Sequence, residues 1–207
     1  MKPQLPTVYI VDDDDAVREA LSALLGSVRL RHQSFASAEA FLAIAKPTMR
    51  GCLLLDVRMP GMSGLELQRI LHEREIALQV LIITGHGDVP MAVRALKSGA
   101  ADFIEKPFNE QDLLDRIQAC LKEDHQLWRT RQELDEAAAR FCSLTPREQA
   151  VMELIAAGNH TKKIAAKLEI QDRTVDVHRF NIMRKVGVRT LAELLHLWSV
   201  ARQPIHH

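Results

Sequence analysis

The sequence predicts an α/β fold, a doubly wound five-stranded parallel sheet, followed by a small all-α domain. Three observations carry this expectation. Short apolar runs alternate with amphipathic stretches through residue 121. Neither glycine nor proline occurs between Asn109 and Thr145, so a helix-forming stretch joins the two halves. At Thr145-Pro-Arg-Glu148 the pattern restarts, with threonine placed as N-cap, proline at the first helical position and glutamate at the third.

The strands are read at Val8–Val11, Leu30–Phe35, Cys52–Leu55, Val80–Ile83 and Asp102–Glu105. The run RLRHQSF makes the second the most polar. Helices are expected at about 15–27, 37–46, 64–74, 89–98 and from 110 onward. Strands of four to six residues separated by ten-residue helices imply βαβ units, whose ligands belong at the carboxyl ends of the strands. Residues 122–143 read as a helical connector, with Leu127, Leu134 and Phe141 seven apart as a candidate partner seam. Four helices are expected beyond it, at 146–157, 162–168, 173–186 and 190–200, with Gly158 and Gly187 at stops. The domain division is therefore 1–121, 122–143 and 144–207.

Composition narrows the function classes. Hydrophobic residues make up 47% of the 207, enough for packed cores. No apolar run reaches the 18 or so residues of a membrane helix, and MKPQLPT lacks a signal-peptide apolar region, so a cytoplasmic protein is expected. Three widely spaced cysteines, Cys52, Cys120 and Cys142, read as buried reduced thiols. The 27 basic and 27 acidic residues are unevenly spread: net −2 over 1–122, −2 over 123–142 and +4 over 143–207. The last third thus leans toward a polyanion.

Four carboxylates follow the first strand in YIVDDDDA. Two unit charges about 4 Å apart repel by roughly 4 kcal/mol near a protein surface, so a positive partner is required. The strand ends supply the rest of a site: Asp12 and Asp13, Asp56, Thr84 and Lys106 converge on one rim. Carboxylates, a hydroxyl and an ammonium suit a hard divalent cation beside a phosphoryl group. Asp14 and Asp15 are better placed to cap the first helix. Pro60, Gly61 and Gly64 allow a tight turn after Asp56, and Arg58 and His86 lie two residues past Asp56 and Thr84.

The segments VDDD, LLDVRMPGMSG, IITGHGDVP and GAADFIEKPF together resemble the receiver domain of two-component response regulators, over residues 5–122. The resemblance implies a flavodoxin-like sheet and a phosphoryl group transferred to Asp56 from a histidine kinase. It implies Mg²⁺ held by Asp13, Asp56 and the backbone carbonyl of Arg58, with Asp12 assisting through water. Thr84 and Lys106 would engage the phosphoryl oxygens, with Phe103 turning inward as a switch aromatic and a cis bond before Pro107. Arg58 and His86 would tune loss of the group. DDDAV at 13–17 also fits the Asp-x-Asp-x-Val pattern of haloacid-dehalogenase-like phosphatases, but those enzymes carry the nucleophile on the first strand. Here the lone acid stands on the third strand.

The segment LTPREQAVMELIAAGNHTKKIAAKLEIQDRTVDVHRFNIMRKVGV resembles the helix-turn-helix output domain of the LuxR/FixJ/NarL group, over roughly 143–205. With the preceding domain, the whole chain resembles a FixJ-type transcription regulator rather than an enzyme. Ile164, Ala165, Leu168, Ile170, Val175, Ile182 and Val186 are the expected core. By the resemblance Arg173, Thr174, Asp176, Val177 and Phe180 face bases or groove walls of double-stranded DNA, while Lys162, Lys163, Arg179 and Arg184 meet phosphates. Gln171 stands where the family often has a capping serine, so Asp172 is expected to cap instead, and Asp176 to pair with Arg173 or Arg179. The resemblance further implies homodimerisation on phosphorylation and paired half-sites, with RNA polymerase a further candidate partner.

Overall fold

The computed structural model describes residues 5–85 and 89–202. They form two compact units, with the boundary between Trp128 and Arg129.

The first unit is built on strands β1 (Thr7–Val11), β2 (His32–Phe35), β3 (Gly51–Asp56), β4 (Gln79–Thr84) and β5 (Asp102–Glu105). They form one parallel sheet in the order β2-β1-β3-β4-β5. β1 to β4 lie close to the expected runs, and the shared register sets Val11 beside Leu55, Asp56 beside Ile83 and Thr84 beside Glu105. Helices α1 (Asp15–Ser27), α2 (Ala38–Leu42), α3 (Gly64–Glu73), α4 (Val89–Lys97) and α5 (Glu110–Phe141) fill the connections and the chain's exit.

Alternation along the strands sorts side chains onto two faces. Val8, Ile10, Cys52, Leu54, Leu81 and Ile83 pack with Leu21 and Leu25 of α1 and with Leu113 and Ile117 of α5. Tyr9, Val11, Leu53, Leu55, Val80 and Ile82 pack with Phe41 of α2 and with Leu67 and Leu71 of α3. Phe41 is met edge-on by Tyr9 at 5.6 Å and by Phe35 at 5.3 Å between centroids. β1 and β3 are buried along their whole length, which explains their continuous apolar runs. β2, an edge strand, leaves Gln33 and Ser34 exposed and accounts for its polar sequence.

Local chemistry starts the first three helices. Asp14 is the N-cap of α1, accepting from the amides of Ala16 and Val17, while Asp15 lies in the first turn. Ser37 and Ser63 cap α2 and α3. α2 is half the expected length, ending at Leu42 before Pro47 disfavours helix. α5 continues without interruption through the expected connector, 32 residues in all. Leu127 of the candidate seam is exposed, whereas Phe141 is buried.

In the second unit α6 (Pro146–Ala156), α7 (Thr161–Leu168), α8 (Asp172–Val186) and α9 (Leu191–Ala201) follow the expected bounds within a residue. The capping box at Thr145 and Glu148 is formed, and Lys185 reaches Glu148 at 2.6 Å. The buried cluster joins Phe141, Val151, Met152, Ile164, Ala165, Val175, Ile182, Val186 and Leu194, with Leu168 and Ile170 partly buried against it. Gly187 caps α8 in the left-handed conformation.

Two expectations are corrected here. Cys142 is exposed, because it lies in the turn after α5; Cys52 and Cys120 are buried. Gln171, not Asp172, occupies the N-cap of α8 and supplies no side-chain cap bond. Asp172 lies one residue later in the first turn, where its charge still favours the helix dipole.

Candidate functional site

The ends of β1, β3, β4 and β5 carry the expected site residues. Lys106, directly after β5, bridges two of them, placing Nζ 2.7 Å from Asp12 Oδ2 and 3.1 Å from Asp56 Oδ1. One ammonium therefore opposes two buried carboxylates. The second oxygen of Asp56 accepts from the Arg58 amide at 2.6 Å, and Asp12 Oδ1 accepts from the Asp14 amide at 2.9 Å. Asp13 is exposed at the mouth. The Lys106 amide donates to the Thr84 carbonyl at 2.7 Å, holding β5's end against β4. The bond before Pro107 is cis.

Thr84 is buried, and among the described residues its hydroxyl has no hydrogen-bond partner. A buried hydroxyl left without a bond costs about 1–3 kcal/mol. Phe103 is partly buried and packs against the cluster that contains Ile82 and Ala95. His86 falls outside the described residues.

Burial raises the Asp56 carboxyl above its ordinary value, with the nearby Asp12 charge adding to it, and the bonds from Lys106 and Arg58 do not fully offset these effects. Burial pulls the other way at Lys106, but its bonds to Asp12 and Asp56 win and hold the ammonium above its ordinary range. The pocket thus holds more negative charge than its own cation neutralises. Oxygen donors of this hardness with a charge surplus fit Mg²⁺. Among the described residues, no three acidic, His or Cys side chains are already gathered for a metal, since Lys106 engages one oxygen from each of Asp12 and Asp56.

The acceptor turn is set by its glycines. Gly64 lies so close to the chain that an added Cβ would sit 2.1 Å from the Asp56 carbonyl oxygen, and Gly61 has φ +77°. Three partners were not legible beforehand. Arg18 donates to the Asp12 carbonyl at 2.7 Å and pairs with Asp15. Glu39, from α2, accepts from the Met62 amide at 3.1 Å. At the opposite end of β3, Asp124 of α5 receives Arg50 at 2.8 Å and the Gly51 amide at 2.9 Å. All three join residues distant in sequence or bind backbone atoms, and neither signal appears in a motif.

In the second unit, α7 and α8 are joined by a turn in which Glu169 takes φ +54°. Val175 and Ile182 face the core, leaving Val177 53% and Phe180 64% exposed on the other side of α8. Arg173, Asp176, Lys162, Lys163 and Arg184 are exposed, and Thr174 is half-buried. The Arg184 guanidinium lies 5.8 Å from the Phe180 ring. Arg179 is tied to Thr161 at 3.2 Å, across α7 and α8. The expected Asp176 pairing is corrected: among the described residues Asp176 forms no ion pair, because Arg179 turns to Thr161 instead.

Comparison with known proteins agrees with both halves. The response regulator receiver domain family matches residues 8–118, and the family of bacterial regulatory proteins of the luxR type matches 142–198. The chain belongs to the response regulators, with a LuxR-type DNA-binding region after the receiver. Response regulator protein TmoT of Ectopseudomonas mendocina is 47% identical over 94% of this chain and 89% of that protein. The transcriptional regulatory protein FixJ of Azorhizobium caulinodans is 44% identical over 96% and 94%. The solved structure of response regulator StyR matches with a TM-score of 0.85 at 47% identity, covering 95% of this chain and 99% of that one. The relatives are regulators rather than enzymes, and the phosphatase alternative falls away. No described helix is long and apolar enough to cross a membrane.

Proposed function

We propose that this response regulator accepts a phosphoryl group on Asp56 from a sensor histidine kinase, and that the modified protein dimerises and binds paired half-sites on promoter DNA. The observation that carries the reading is the Lys106 ammonium shared by Asp12 and Asp56, with the Thr84 hydroxyl left without a partner among the described residues. A carboxylate oxygen of Asp56 attacks the phosphorus of the donor's phosphohistidine, forming a P–O bond as the P–N bond breaks. The electron pair leaves on the imidazole nitrogen, which takes up a proton. Lys106 and Thr84 then have three phosphoryl oxygens to bond. Asp12, Asp13, Asp56 and the Arg58 carbonyl would hold Mg²⁺, which supplies charge neutralisation as phosphorus nears the carboxylate. Water attacking phosphorus breaks its bond to the Asp56 oxygen, releasing inorganic phosphate and the free carboxylate, and Arg58 and His86 tune that rate.

Drawing Thr84 toward the phosphoryl group vacates space that Phe103 fills, which reshapes the surface from α4 to α5. Reversing a 1:99 equilibrium requires roughly 5.5 kcal/mol of preference, within reach of several charge-assisted bonds. The working division is a receiver at 1–121, a connector at 122–143 and a DNA-binding domain at 144–207. Arg173, Thr174, Asp176, Val177 and Phe180 read the groove. Lys162, Lys163, Arg179 and Arg184 meet phosphates. A cytoplasmic location follows from this chemistry, with RNA polymerase as a candidate partner.

Mass spectrometry after acetyl phosphate and Mg²⁺ treatment tests the acceptor: a gain of about 80 Da that Asp56→Asn abolishes is expected. Genomic-DNA selection with the modified protein tests the output. No added mass from any small donor or kinase overturns the first part, and no salt-dependent DNA binding overturns the second.

A further inference from the structure

Glu39 stands in the first turn of α2, 23 residues before Met62, and its carboxylate is exposed yet well held. Oε1 accepts from the Met62 amide at 3.1 Å and would lie 3.0 Å from a Cβ added at Gly61. Its own backbone amide foremost, then the Ser37 hydroxyl, then the Met62 amide keep the carboxyl below its ordinary value. Ser37 is itself fixed as the α2 N-cap by the Ala40 amide.

The loop that Glu39 grips is the one that follows Asp56. At its start the Arg58 amide bonds Asp56 Oδ2 at 2.6 Å; at its close the Gly64 amide donates to the Val57 carbonyl at 3.1 Å, and Ser63 caps α3. Between these ends lie Met59, Pro60, Gly61 and Met62. Among the described residues the only side-chain bond given to this middle stretch is Glu39's. Two glycines leave such a turn many backbone states, so an external acceptor narrows them most where the loop is freest.

We propose that Glu39 is a positioning residue for phosphoryl transfer: from α2 it pins the turn at Gly61–Met62 and so keeps the Arg58 backbone against the Asp56 carboxylate. This rests on the reading of Asp56 as the phosphoacceptor. Glu39 does not touch the reacting atoms; it acts through the loop. The consequence is a larger ordering cost for whatever uses the Arg58 amide or carbonyl once Glu39 is removed.

The test uses the full chain, ¹⁵N-labelled, without a phosphodonor. Amide spectra of wild type, Glu39→Ala and Glu39→Gln are recorded through a titration with MgCl₂. In Glu39→Ala the Arg58 amide is expected to lose its carboxylate-bonded downfield position, and the Mg²⁺ concentration for half-saturation to rise about three- to tenfold. Glu39→Gln keeps an acceptor for the Met62 amide and is expected within about twofold of wild type. With acetyl phosphate added, the same Mg²⁺ shift is expected at a nearly unchanged limiting rate. A role confined to starting α2 would lower the melting temperature and leave Arg58 and the Mg²⁺ curve in place, and that result overturns the proposal. A wild type that shows no Mg²⁺ response removes the metal reading instead, and the Arg58 amide comparison still decides Glu39.

Discussion

Lys106 and Asp56 meet at 3.1 Å, and both are shifted upward, for different reasons. At Asp56 burial outweighs the ion pair and the carboxyl rises above its ordinary value; at Lys106 the bonds to Asp12 and Asp56 outweigh burial and the ammonium is held charged. The difference follows from sharing. One cation divides its field between two acids, so its bond to Asp56 does not fully offset the desolvation of that carboxyl.

A pH dependence follows for Asp56. Its folded form holds a proton more tightly than the unfolded chain, whose carboxyl titrates near 3.8. Stability is therefore lost as pH rises through the folded titration, and the cost is fully present at neutral pH. In chelator, Asp56→Asn is expected to melt above wild type at pH 7, with the gap narrowing as pH falls toward 3.8. An equal or lower melting temperature at pH 7 would contradict this.

Thr84 separates stability from switching. Its hydroxyl is buried without a partner among the described residues, so Thr84→Val is expected to leave the unmodified protein as stable or up to about 1 kcal/mol more so, by denaturant midpoint. The same change is expected to reduce dimer formation after acetyl phosphate treatment, measured by sedimentation, while Thr84→Ser retains it.

Asp124 is the buried anchor of α5 on the sheet. Arg50 and the Gly51 amide both use it, and the Arg50 guanidinium lies 4.3 Å from the Trp128 ring. Asp124→Ala strands a buried guanidinium and is expected to cost about 3–5 kcal/mol by urea unfolding, followed by Trp128 fluorescence in a Trp198→Phe background. Replacing Arg50 with Met and Asp124 with Leu together is expected to recover much of it.

On α8, Phe180 is exposed and outside the core, so Phe180→Ala is expected to change stability by less than about 0.5 kcal/mol while weakening operator binding. Lys162→Ala is expected to weaken binding to all sequences alike and to reduce the salt slope by about one. Unchanged slopes in a fluorescence-anisotropy titration would remove Lys162 from the interface.

Strand periodicity and caps were legible because each rests on neighbours in the chain. β1 and β3 read as apolar runs since both faces are covered, and Thr145 with Glu148 read as a capping box since three residues complete it. The site's strand-end residues were legible for a related reason: parallel sheets carry those ends to one rim whatever the intervening helices contain. Legibility ended where a choice among partners was required. Arg179 could have met Asp176 one turn away, but the packing of α7 on α8 offers Thr161. Cys142 looked apolar enough to bury, yet the turn after α5 leaves it in solvent.

The sequence by itself determined the two folded units, the acidic rim around Asp56 and the basic helical tail, because periodicity, caps and strand-end chemistry are local or follow from topology. Only the tertiary structure decided that Lys106 is shared by Asp12 and Asp56, that Thr84 is left without a partner among the described residues, and that Glu39 grips the acceptor loop. Those outcomes depend on which polar atoms come within about 3 Å of each other across separate elements, and close-packed geometry alone settles that competition.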